Sequence, residues 1–172
     1  MTRSFLPSTC LALLALCATL PGKAAPAQDG DQARFHLKSM ALLMPEAMIG
    51  KRIAVDDIVS LTDTIVAETN RWAASLDAAQ PADDCTIFVA VRPGRRLKTW
   101  TSCRSFDGSA LDAHVARAVN GDSIPTAKGL ILYSIYGKRA DLQAFPEEWK
   151  ATMDGKESEV LMTAIVDKVW PE

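Results

Sequence analysis

Two histidines, His36 and His114, are all that this 172-residue chain contains, and that scarcity removes most acid–base and metal chemistry. A cysteine pair without histidines at ligand spacing cannot complete a zinc shell. His114 stands two residues from Asp112, and residues at i and i+2 on a helix do not face each other. No G-x-S-x-G elbow, H-E-x-x-H pair or phosphate-binding glycine loop occurs. Ser102 has no base beside it. The adjacent carboxylates Glu147-Glu148 and Asp83-Asp84 splay apart and read as solvated faces. The sequence therefore predicts no catalytic residue, metal or cofactor.

Basic charge is not in excess. Nineteen Lys and Arg face twenty-one Asp and Glu, a formal net charge of −2, which argues against a nucleic-acid partner. Long apolar runs are scarce as well. The clearest one, residues 11–20, follows Arg3 and ends at Pro21-Gly22, before the small-residue site Ala25-Pro26-Ala27. This is the layout of a secretory signal peptide, and the run falls short of the roughly 20 residues a spanning helix needs. Cleavage after Ala27 is expected, leaving residues 28–172 as a single periplasmic or secreted domain with no stable membrane span. Removing Arg3, Lys23, Cys10 and Cys17 moves the net charge from −2 to −4 and leaves two cysteines. An even cysteine count in an exported chain argues for a disulfide.

Those two cysteines bound the most informative stretch, CTIFVAVRPGRRLKTWTSC, from Cys85 to Cys103. They stand nine residues either side of Gly94. TIFVAV and LKTWTS are rich in β-branched and aromatic residues, and RPGR puts Pro and Gly at the centre of a type II turn. A hairpin folded about Gly94 pairs residues whose numbers sum to 188, with Cys85 opposite Cys103. Opposed Cα atoms lie about 4.5–5.5 Å apart, within reach of a disulfide, which would staple the open end.

Around the hairpin the pattern is mostly helical. Residues 35–43 carry apolar side chains at mixed helical spacing and predict a helix; PEAMIGKR reads as a break. Ile58, Leu61, Ile65, Trp72 and Leu76 recur at helical steps and predict the longest helix, from Val55 towards Pro81. Ser109 is the expected N-cap of a short helix, with Asp112 closing a capping box and Gly121 ending it. GLILYSIYG predicts a third, central strand over residues 130–136. The rest predicts one or two helices divided at Gly155, the last with Val160, Leu161, Ile165 and Val169 on one face. The fold class expected is α+β, a three-stranded antiparallel sheet packed against helices.

The order of hairpin, ALDAHVARAV helix, proline and KGLILYSIYG strand resembles the C-terminal domain of the TonB/TolA group over residues 85–137. The resemblance implies a last strand pairing back into the sheet and a domain that binds proteins through an exposed strand edge. Energy-transducing members carry an uncleaved anchor and a long Pro-rich linker, which this reading does not find, so the resemblance implies no energy transduction.

Arg92, Arg95, Arg96 and Lys98 cluster at the hairpin tip of an otherwise acidic chain. They are the candidate partner-binding residues, because arginine suits bidentate contacts with carboxylate or phosphate; charge that merely protects a strand edge is the plainer reading. The function expected is a non-catalytic interaction domain of the cell envelope, such as an immunity or inhibitor protein or an adaptor, whose partner is another envelope or secreted protein. The alternative is a small envelope enzyme or small-ligand carrier with a pocket between sheet and helices.

Overall fold

The computed structural model describes residues 34–76, 82–140, 145–146, 149 and 159–171. They form an α+β domain around one antiparallel sheet of four strands, in the order β1-β4-β2-β3. The strands are β1 (Leu37–Leu42), β2 (Cys85–Arg92), β3 (Arg96–Cys103) and β4 (Ile131–Gly137). The helices are α1 (Glu46–Arg52), α2 (Val55–Ala74), α3 (Ser109–Ala118) and α4 (Glu159–Val169). Among the described residues, no helix is long and apolar enough to cross a membrane.

The β2–β3 hairpin keeps the register its symmetry demands. Ile87 faces Thr101, Phe88 faces Trp100, Val89 faces Thr99, and Cys85 faces Cys103. A disulfide joins Cys85 to Cys103. Gly94 has φ +79°, the value of the second central position in a type II turn. Arg95 also has positive φ, +58°, so three residues, 93–95, link the paired Arg92 and Arg96.

β4 is central, lying between β1 and β2, and every residue of β2 and β4 is buried. Burial of consecutive residues means that both faces are covered. On one face Tyr133 meets Thr62 of α2, and Thr101 meets Asp112 of α3. On the other, the paired Phe88 and Trp100 both pack on Trp149, with ring centroids 5.0 and 5.2 Å apart, and Trp100 also meets Trp170 beyond α4. Burial holds the Tyr133 phenol protonated well above its ordinary range.

Three expectations are corrected. Residues 37–42 form a strand rather than a helix, which makes the sheet four-stranded instead of three. The spacing was mixed, and the apolar β4 offers a row of backbone partners that a helix would forgo. Asn70 of α2 fixes the entry to β1: its Oδ1 accepts from Phe35 N at 2.7 Å, and its Nδ2 donates to Phe35 O. PEAMIGKR is not a break either. Pro45 precedes α1, where proline is tolerated, Glu46 and Lys51-Arg52 complement the helix dipole, and Gly50 is carried inside at a cost of about 1 kcal/mol.

The third correction concerns α3. Ser109 does not cap it through its side chain, because Gly108 is the N-cap and Asp112 closes no capping box. Asp107 accepts from Ser109 N at 3.0 Å and Ser109 Oγ at 2.8 Å. Gly108 sits so close to β3 that a Cβ there would lie 2.2 Å from Thr101 O. The expected division at Gly155 lies outside the described residues.

Candidate functional site

The basic hairpin tip, the expected docking site, is largely tied into the fold. β2 alternates sides, so Arg92 shares a face with Phe88 and Ala90 and turns towards α4. It is buried at 2 % exposure. Its Nη2 donates to Asp167 Oδ1 at 2.6 Å and to Trp170 O at 2.8 Å, and its guanidinium lies 5.2 Å from the Trp170 ring centroid. Arg96 flanks the same ring at 5.2 Å and donates to Pro171 O. Lys98 Nζ stands 4.7 Å from the Trp100 ring, and Arg95 pairs with Asp122. These contacts clamp the C-terminal residues to the sheet. Arg92 is thereby part of the interior, and only Arg95, Arg96 and Lys98 stay within reach of a partner.

The histidines lie apart. His36 Nδ1 is 2.9 Å from Asp83 Oδ2, and its backbone N–H donates to Asp83 Oδ1. His114 Nε2 is 3.3 Å from Glu68 Oε2, and Glu68 also pairs with Arg71. Each pair ties one element to another.

Asp112 reaches from α3 to β3, accepting from Thr101 N at 2.9 Å and Thr101 Oγ1 at 2.7 Å. Burial pushes its carboxyl above the ordinary range, and the Thr101 donors pull it part of the way back. Asp107 is fully exposed and is drawn below the usual range by the backbone and side chain of Ser109. Asp84 Oδ1 lies 3.6 Å from Cys85 Sγ, but sulfurs in a disulfide offer no thiolate to a metal.

The larger surface feature was not read from the sequence. Among the described residues, the large apolar side chains left exposed are Leu37, Met40, Leu42, Met48, Val55 and Val59. All six belong to β1, α1 or the first turns of α2. Three of them, Met40, Leu42 and Val55, line a groove of about 540 Å³ together with Ile49, Ile58 and Glu46, whereas Val59 faces another surface beside Asp56 and Asp63. Among the described residues, β1 pairs with β4 alone and leaves its other side unpaired. Leu43 N donates to Leu132 O at 3.1 Å. By the alternation of an antiparallel ladder, Leu42 and Met40 therefore turn their backbone groups to the open edge.

The two edges of the sheet differ. β3 carries Arg96 and Lys98, the charges that blunt an edge, whereas β1 carries Lys38 alone, at an irregularity confined to its start, and runs regularly from Ser39 to Leu42. The sequence signal was Pro45, which leaves the segment before it too short for a stable amphipathic helix and within strand length.

No protein-family model, no curated protein and no solved structure matches this chain.

Proposed function

We propose that this chain is an exported, non-catalytic protein-interaction domain of the cell envelope, of the immunity, inhibitor or adaptor kind. The observation that carries the reading is the meeting of exposed Met40 and Leu42 on the β1 edge with exposed Val55 of α2 around one apolar groove. Contiguous exposed apolar surface of this sort marks interaction sites, and an unpaired edge accepts an added strand. The disulfide supports an oxidising compartment, and with it the signal peptide over residues 1–27. The TonB/TolA likeness is a proposal resting on the motif order of residues 85–137.

The test is affinity capture from periplasmic extract with the protein as bait, beside a Met40→Lys/Val55→Lys variant. A partner retained by the parent and lost by the variant, at equal melting temperature, is the expected result. Equal capture by both would overturn the assignment to this face. A second reading, a carrier for a small apolar ligand, is favoured by the groove itself, whose volume lies within the range of ligand sites. Saturable one-to-one binding of an apolar fluorescent probe, abolished by the same variant, would support it.

A further inference from the structure

We infer that the β1 edge and its groove pair with a second copy of this chain, joining two four-stranded sheets into one across a two-fold axis. The inference rests on the interaction reading above and names the partner.

Three observations carry it. The first is the backbone. Met40 and Leu42 direct N–H and C=O groups outward from the edge, and an extended strand satisfies such groups in register. The second is the distribution of apolar surface. Met40 and Leu42 lie on the strand, but Ile49 of α1 and Val55 and Ile58 of α2 line the same groove from the helices, with Val55 65 % exposed. An isolated extended peptide covers a strand edge and leaves the helical residues wet. A two-fold axis perpendicular to the sheet adds β1 of the second copy and sets its α1 and α2 on the same side. The helical residues of the two copies then cover one another.

The third observation is charge. Antiparallel self-pairing centred on Met40 runs the irregular start of β1, which carries Lys38, alongside Leu42 of the other copy and Glu46 of that copy's groove. The two-fold axis repeats the contact, giving two Lys38–Glu46 pairs, and keeps the two lysines apart. A symmetric interface must be self-complementary in this way.

The experiment is sedimentation equilibrium and light scattering on the protein in the form the cell accumulates, over a wide concentration range. A monomer–dimer equilibrium is expected. Met40→Lys/Leu42→Lys should give a monomer with an unchanged circular dichroism spectrum. Lys38→Glu should raise the dimer dissociation constant roughly tenfold, because both symmetric pairs are lost, and Lys38→Glu/Glu46→Lys should restore it.

A monomer at all concentrations would overturn the inference, as would a dimer indifferent to Met40→Lys/Leu42→Lys. If the charge reversal fails to rescue, the two-fold register is wrong and the inference falls. Native mass spectrometry that finds a peptide or small ligand on the edge of a monomer also overturns it. The two readings separate cleanly. A monomer that still captures a different protein through Met40 and Val55 sinks the self-pairing and leaves the interaction reading standing. A dimer that captures nothing else leaves self-pairing as the whole function of the face.

Discussion

Arg92 and Asp167 meet at 2.6 Å across 75 residues of chain, one side chain 3 % exposed and the other 61 %. The asymmetry decides what each substitution costs. Asp167→Ala removes one charged partner of a buried guanidinium and keeps its Trp170 carbonyl contact. A loss of about 1–3 kcal/mol is expected. Arg92→Ala also removes the stem packed against Trp170 and should cost more. Urea unfolding followed by tryptophan fluorescence and by circular dichroism checks both. If α4 is held mainly by this pair, the fluorescence transition should precede the circular dichroism transition in each variant.

Cys103→Ser should lower stability by roughly 3 kcal/mol, because the bridge closes a loop between residues 18 apart. Secondary structure should survive, since the hairpin register also rests on Phe88, Trp100 and Trp149. Thermal melts with and without reductant provide the check: reductant should destabilise the parent and leave the variant unmoved.

Gly108→Ala should be among the worst single-methyl changes available. The new Cβ meets the Thr101 carbonyl and Cβ, at 2.2 and 2.6 Å, so β3 and the start of α3 must separate. A loss of about 1–3 kcal/mol is expected for such overpacking. Gly50→Ala is the control, with nothing within 4 Å of the added methyl. It should raise stability by up to about 1 kcal/mol by improving helix propensity.

The raised pKa of Asp112 carries a definite sign. A carboxyl titrating higher in the folded state than the unfolded value of about 3.9 binds its proton more tightly when folded. Its contribution is most favourable below pH 3.9 and is lost as pH rises through the folded value. Asp112→Asn cannot ionise. The stability of the variant relative to the parent should therefore climb as pH increases from about 3.9 towards neutrality. Asp112→Ala instead strands the Thr101 donors and should cost about 1–3 kcal/mol. Urea midpoints at a series of pH values check both, and a constant offset between Asp112→Asn and parent would refute the assignment.

Amino-terminal sequencing of the protein recovered from the periplasm should begin at Gln28. Recovery of a membrane-bound full-length chain would show instead that residues 1–27 are retained.

The hairpin was legible because its constraint is local: a symmetric cysteine pair, a turn at the midpoint, and alternation that fixes every partner. α2 was legible for the same reason, with Ile58, Leu61, Ile65 and Trp72 repeating without reference to other segments. β1 was not, because its six residues owe their conformation to β4, about ninety positions later. The candidate groove was hidden with it, since Leu42, Ile49 and Val55 converge only once a strand and two helices have folded in turn. Among the tip residues, four basic side chains looked alike in sequence. Counting alternation forward from Phe88 would have set Arg92 on the aromatic face and singled it out for burial.

Among the described strands, β4, which lies between β1 and β2, is also the last the ribosome delivers. The two strands of the hairpin are complete once residue 103 is made, whereas β1 waits for residue 137 before its described partner β4 exists. Through that interval Met40 and Leu42 belong to a strand with two open sides, beside a finished hairpin whose own inner edge is vacant. The nascent chain is thus most adhesive when it is mostly made. A chain truncated before Ile131 would lack the strand that joins β1 to β2 and would leave both unpaired on that side.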